Sequence, residues 1–277
     1  MKTPQREQEQ SAFRPPKKRN IFIFAVIRLL IIFCMFRQLT NGYYHYVLLC
    51  MLSLVLISIP SILRRTLRIA LPNVFEVAVC LFVYGAEILG EIENFYGNLP
   101  GWDTMLHTIN GFLAAAVGFG IIDLLNTYSK RVNMTPLFVA LVSFCFSMTV
   151  GVLWEFVEFG GDSLLHTDMQ KDWIVQSIST VTLDPEQANN AIRVDGIAYT
   201  ILYDEHGGEL ATIEGGYLDI GIIDTMKDLL VNLVGAAVFS TFGALYIHRR
   251  DKYAFAGNFI ISRTAPDSSQ EEEGRPF

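Results

Sequence analysis

The sequence predicts an all-α polytopic membrane protein: a bundle of about six transmembrane helices with a small external β-meander insertion. Three observations point there. Of the 277 residues, 51% are hydrophobic and 18% charged, where soluble domains carry about a quarter charged. The apolar residues fall in blocks of roughly 17 to 25, long enough to cross a hydrocarbon core as helices. Lysine and arginine crowd every second connection between those blocks, as an even number of spans requires.

In order, the spans are expected at Ile21–Phe36, Tyr44–Leu63, Ile69–Ile92, Thr104–Asn126, Thr135–Gly160 and Ile220–His248. Pro72 and Pro136 fall in opening turns, where a missing N–H does no harm. Ala114, Ala115, Gly118, Gly235 and Ala236 are small enough to let neighbouring helices approach closely. The basic connections hold Arg14, Lys17, Lys18 and Arg19, then Arg64, Arg65 and Arg68, then Lys130 and Arg131, then Arg249, Arg250 and Lys252. Positive residues stay inside, so both termini are expected in the cytoplasm. The resulting plan is a basic tail over 1–19, spans over 20–163, an extracytoplasmic loop over 164–218, the last span over 219–248 and an acidic tail over 249–277. The N-terminus does not read as a cleaved signal peptide, because its polar lead is long and lacks a small-residue cleavage motif.

The net charge of −7 offers no contiguous basic face for phosphates, which argues against nucleic acid and leaves the lipid bilayer as the first partner. Cys34, Cys50, Cys80 and Cys145 sit in apolar runs without CxxC spacing and read as small buried hydrophobes. Arg28 lies about 12 Å into the first span and Glu76 about 10 Å into the third. An interhelical ion pair is expected for them, with snorkelling of Arg28 as the alternative.

In the loop, Trp173–Thr182 reads as a short interfacial amphipathic helix. Ala191–Val194, Ile197–Tyr203 and Glu209–Ile213 alternate like strands between turn signals at Asp195-Gly196 and Glu205-His206-Gly207-Gly208, giving the β-meander. The tail with Glu271, Glu272 and Glu273 reads as disordered.

Ionisable residues inside a membrane are costly and therefore informative. Glu87 and Glu91 share a face of the third span, and Asp103 and His107 a face of the fourth. Glu155, Glu158 and Asp162 line the fifth; Asp224, Asp228 and Asn232 line the sixth. All four stripes fall in the outer leaflet. Gathered carboxylates repel and call for a shared cation or protons. Carboxylates with one imidazole suit a divalent ion such as Mg²⁺, Mn²⁺, Zn²⁺ or Ca²⁺. Glu155, Glu158, Asp162, Asp224 and Asp228 are the expected metal ligands, and His107, oriented by Asp103, the expected general acid or base. Glu87, Glu91 and Asn232 complete the polar surface. Each has a plainer reading: Asp103 as a helix cap, His107 as a satisfied hydrogen-bonding residue, the whole stripe as a structural polar network. Trp102 and Trp154 fit an aromatic belt. Asp219, Glu214 and Glu93 are expected in water.

The order Asp103-x-x-x-His107, Trp154-Glu155-x-x-Glu158-x-x-x-Asp162, Gly216-Tyr217-Leu218-Asp219-Ile220-Gly221 and Asp224-Thr225-x-x-Asp228-x-x-x-Asn232-x-x-Gly235 resembles the YjdF-like bacterial membrane proteins. More distantly it is similar to the VanZ-like group, with its Asp/His pair on one helix and Asp…Asn-x-x-Gly on a later one. The resemblance covers the third to sixth spans; it implies a bacterial plasma-membrane protein, with envelope chemistry suggested by the VanZ-like group. It departs from that group in the fifth span and in the long external loop.

Three functions fit these residues. The first is a metal-dependent enzyme on a lipid or envelope-derived substrate at the outer leaflet, with Lys227 the nearest cation for a phosphate. The second is a non-catalytic envelope accessory or sensor protein that binds a partner through the loop. The third is a cation or proton transporter, against which stands the polar residues' one-sidedness.

Overall fold

The computed structural model describes residues 18–62, 69–128, 134–249, 252–260 and 262–263. Most of the basic residues that orient the spans, among them Arg14, Lys17, Arg64, Arg65, Arg68, Lys130, Arg131 and Arg250, lie outside the described residues, as does the acidic tail.

Among the described residues, five helices are long and apolar enough to cross a membrane: Asn20–Thr40, Tyr44–Ile62, Trp102–Asn126, Pro136–Leu165 and Ile222–His248. They belong to α1 (Lys18–Thr40), α2 (Tyr44–Leu56 and its continuation), α5 (Trp102–Tyr128), α6 (Pro136–Leu165) and α7 (Ile222–His248). The expected boundaries hold within a few residues. Pro136 opens α6, and α2 tightens just before Pro60, where the Ser58 N–H turns to Val55.

The remaining expected span is built differently. Ile69–Ala70 form β1, and the helix starts only at Asn73, with Pro72 capping it in an extended conformation. After α3 (Asn73–Val83) the chain continues as a π-helical stretch, Tyr84–Ile92, followed by the short α4 (Phe95–Asn98). Gly90 meets the Tyr96 ring, where an added Cβ would sit 2.3 Å from a ring carbon. The Gly85 carbonyl is taken by the Trp102 indole N–H at 3.3 Å. Within the π-helical stretch Glu87 is half-buried and Glu91 exposed. Glu93, expected in water, is paired with Arg37 at the end of α1.

Two compact units emerge, Met1–Gly151 with Val231–Phe277, and Val152–Leu230; α6 and α7 each contribute to both. The first unit has two apolar clusters. One joins Ile27, Ile31, Cys34, Cys50, Cys80 and Ile88; the other joins Phe75, Leu113, Ala115, Ala116, Phe119, Val139, Ala236, Phe239 and Phe259. Three cysteines are buried as expected, whereas Cys145 is exposed; all four are free. Glu76 is buried, and Arg28 lies near enough to Cys80, one turn further along α3, to act on it electrostatically. An ion pair between Arg28 and Glu76 would register in stability. Arg28→Leu or Glu76→Leu alone should cost about 3 kcal/mol, and the double variant clearly less. A double variant melting no higher than either single one would exclude the pairing.

The loop corrects two expectations. No helix forms over 173–182: this segment holds β2 (Ile174–Val175), β3 (Ser177–Thr180) and a 3-10 turn. The strands also form separate antiparallel pairs, not a meander. β3 pairs with β4 (Ile192–Asp195), β5 (Tyr199–Tyr203) with β6 (Glu209–Glu214), and β2 closes the base with β7 (Tyr217–Leu218). The 204–208 turn is built on Asp204, whose Oδ1 accepts the His206 and Gly208 N–H groups.

Asp184 holds the connection between β3 and β4. Its carboxylate accepts the N–H groups of Glu186, Ala188 and Asn190 at 3.2, 2.9 and 2.9 Å. Left-handed Gln187 and Asn189 (φ 52° and 61°) keep those donors pointed inward. The bonds hold the Asp184 carboxyl below the usual carboxylate range, led by the one from Asn190. A lowered value stabilises the folded loop above the unfolded value of about 3.9, and that contribution fades as pH falls through the folded value. Protection of the Ala188 and Asn190 amides, corrected for intrinsic exchange, should thus be full at neutral pH and lost in acid. Asp184→Ala should reproduce the acid behaviour at neutral pH; amides that stay protected in that variant would refute the assignment.

Candidate functional site

In the first unit, α5 opens after Gly101 (φ +80°), and Trp102 fixes its first turn by bonding Gly85 and stacking edge-on against Phe95 at 5.0 Å. Asp103 and His107 follow on one face. Asp103 Oδ1 lies 3.5 Å from His107 Nε2, and His107 is only 9% exposed. Asp103, the second residue of α5, sits in its first turn, at the positive end of the helix, and faces a buried histidine.

One turn further, three helices meet at Asn232, which is 1% exposed. Asn110 Nδ2 donates to Asn232 Oδ1 at 3.1 Å, and Asn232 Nδ2 points to the Ser147 carbonyl at 3.5 Å. Ser147 and Ser143 donate in turn to the carbonyls of Gly111 and Ala115 at 2.7 and 2.6 Å, and Ser240 lies 3.3 Å from Ser143. Glycine makes this possible. A Cβ on Gly111 would sit 2.1 Å from the Asn232 carbonyl oxygen, one on Gly235 2.0 Å from that of Thr108, and one on Gly151 2.7 Å from Asn232 Nδ2. The contacts Gly111–Asn232 and, lower down, Phe119–Gly243 advance together along both chains, so α5 and α7 run in the same direction. The serine contacts 143–115 and 147–111 run oppositely, so α6 is antiparallel to α5.

In the second unit, Glu155, Glu158 and Asp228 are buried, and Trp154 Nε1 donates to Glu158 Oε1 at 2.7 Å. Trp154 thus does more than sit in an aromatic belt. Asp162 and Asp224 anchor the segment 167–173. Asp162 accepts the Met169 and Gln170 N–H groups at 2.6 and 2.9 Å and the Thr167 hydroxyl at 2.8 Å. Asp224 Oδ2 accepts the Lys171 N–H at 2.8 Å, and Gln170 Nε2 donates to the Thr225 hydroxyl at 2.6 Å. Asp219, expected to be merely solvated, accepts from the N–H groups of Trp173, Gly221 and Ile223 at 2.6, 3.3 and 2.8 Å. Those bonds open α7 after Ile220, a β-branched residue at φ 59°. Lys227 Nζ lies 3.7 Å over the Trp173 ring, so its charge is engaged there.

The expected residues therefore separate by role. Asn232 belongs to the first unit's buried polar network, Asp103 and His107 face each other on α5, and Asp162 and Asp224 tie down backbone. Sequence reasoning missed Asn110, Ser143, Ser147, Gly111, Gly151 and the anchor Asp219. Asn110 carried a signal, since an amide within an apolar span meets the criterion that singled out the carboxylates.

No curated protein and no solved structure matches this chain. A family model described as "Predicted membrane protein (DUF2238)" matches residues 20–249, from the first span to the end of the last. The YjdF-like resemblance agrees with that assignment, while the VanZ-like one finds no support in it. On a match of that extent, the chain belongs to the DUF2238 family of predicted membrane proteins.

Proposed function

We propose that Asp103, His107 and Asp228 hold a divalent cation, and that the site serves metal-dependent chemistry on an amphiphilic lipid or envelope substrate. The observation that carries this reading is the donor set itself: two carboxylates and one imidazole, with His107 and Asp228 buried, make a group able to hold a metal ion. Helical period supports it. His107 precedes Gly111 by one turn on α5, Asp228 precedes Asn232 by one turn on α7, and the two helices run in the same direction where Gly111 meets Asn232. Asp162 and Asp224 are already engaged with backbone donors and are assigned to anchoring. A bound cation would supply an activated water or polarise a phosphoryl oxygen. Asp103 would orient His107, and His107 would carry the proton. On this reading the site opens to the outer leaflet of the plasma membrane, with both termini cytoplasmic, as the basic connections require.

The test is the metal content of the detergent-purified protein after reconstitution with Mg²⁺, Mn²⁺, Zn²⁺ or Ca²⁺. Wild type should hold a stoichiometric ion; His107→Ala and Asp228→Asn should weaken its binding by about tenfold or more, and Asp162→Asn should retain it. Absence of bound ion from wild type under all four conditions would sink the reading.

An accessory role has one observation in its favour. The β5–β6 hairpin leaves Tyr199, Leu202, Tyr203 and Leu210 exposed, an apolar surface outside the spans. Capture of a partner that depends on those side chains, by a protein without bound metal, would favour it.

A further inference from the structure

Beyond His248 the chain does not leave the bundle. Within the first unit it turns back through α8 (Ala254–Gly257), and β8 (Ser262–Arg263) pairs antiparallel with β1. Ala256 is buried on α8, and beyond it Phe259 and Ile260 are buried in the same core cluster as Phe75, Phe119 and Phe239. The Phe259 ring stands edge-on to Phe112 at 5.1 Å and to Phe239 at 6.5 Å, and Phe112 stands edge-on to Phe239 at 5.0 Å. Gly257 packs on Tyr246, whose hydroxyl would lie 3.2 Å from an added Cβ.

The depth of this contact is informative. Phe239 lies nine residues before His248, so the returning segment reaches about 14 Å back along α7. Asn232 lies about 10 Å further along the same helix. The rings of Phe112, Phe239 and Phe259 therefore lie on the C-terminal side of the Asn110–Asn232 pair along both helices, and one of the three comes from a segment outside the spans. Residues 250–263 also lie beyond the stretch that defines the family, 20–249. Apart from Phe75 on α3, every other buried side chain of this cluster is held by a spanning helix; Phe259 and Ile260 follow α8 in a turn.

We infer that Tyr253–Ile260 is a re-entrant stopper that seals the interior of the bundle against water and ions from the side on which the C-terminus lies. The inference does not depend on a bound cation. Aliphatic and aromatic rings exclude water from the serine and asparagine network, whose hydrogen bonds would otherwise be exchanged for bonds to solvent. The stopper leaves the polar network approachable from the opposite end alone, the condition that separates a one-sided site from a conduit.

The experiment places a reporter just behind the stopper. Ser147, buried and bonded to the carbonyl of Gly111, just past Phe112, is replaced by cysteine in a full chain whose Cys34, Cys50, Cys80 and Cys145 are alanine. In proteoliposomes, a charged membrane-impermeant maleimide is added to each face in turn. Ser147→Cys should react slowly from the C-terminal face, and about tenfold faster from that face once Phe259→Ala and Ile260→Ala are added. Equal rates with and without the two substitutions would overturn the inference, as would an acceleration alike from both faces. Should the combined variant fail to fold, Phe259→Leu alone serves the same purpose. A smaller acceleration confined to the C-terminal face supports the stopper, and an unchanged rate refutes it.

Discussion

Gly235→Val and Gly111→Val are each expected to leave little folded protein, and Gly235→Ala to lower stability by about 3 kcal/mol or more. The reason is what stands opposite. At Gly235 an added Cβ meets the Thr108 carbonyl oxygen at 2.0 Å and the Phe112 nitrogen at 2.9 Å; at Gly111 it meets the Asn232 carbonyl oxygen at 2.1 Å. Both obstacles are helix backbone, so no side-chain rotation relieves them. The helices must move apart, and in lipid close van der Waals contact is a large part of what holds them together. Gly160, with nothing within 4 Å of an added Cβ, is the control: Gly160→Ala should be neutral or slightly stabilising. Melting of purified variants in one detergent measures the series, and a Gly235→Ala protein that melts with wild type would disprove the close crossing.

These contacts also mark where sequence reading stops. The spans are legible because hydrocarbon demands long apolar helices, and that demand is written in composition alone. Tyr84–Ile92 is apolar enough to be read as helix, but its hydrogen-bond step is a π step that composition does not encode. In the loop, Trp173 suggests an interfacial helix. The adjoining Ile174–Val175 instead pairs with Tyr217–Leu218, a partner more than forty residues away that no local window contains.

The candidate site shows the same division. Spacing places Asp103 beside His107 on one helix face, and the structure agrees at 3.5 Å. The same spacing argument treats Asp162 and Asp224 as ligands. Their oxygens meet backbone N–H groups of residues 169–171, whose positions depend on how the loop returns. A carboxylate's neighbours along a helix can be counted from sequence; the donors that a distant loop brings to it cannot.

Asn232 carries the second large effect, and its two informative substitutions fail for different reasons. The residue is 1% exposed, receives a hydrogen bond from Asn110 at 3.1 Å, and points its own amide at the Ser147 carbonyl at 3.5 Å. Asn232→Leu removes both bonds, each worth about 0.6 kcal/mol between membrane helices, and forces a branched side chain against Gly151, where the fit is already tight. A cost of about 2 to 3 kcal/mol, independent of pH, is expected. Asn232→Asp keeps the volume and the bond from Asn110 but turns the donor toward Ser147 into an acceptor. Ionised, the new carboxylate faces a carbonyl oxygen in a buried site; protonated, it donates as the amide did. Its penalty is therefore absent where the new carboxyl is protonated and present where it is ionised. The melting temperature of Asn232→Asp should approach wild type in acid and fall by several degrees toward neutral pH, while that of Asn232→Leu tracks wild type at a constant offset. Parallel pH profiles for the two variants would mean that the Asn232 amide is not a donor to Ser147.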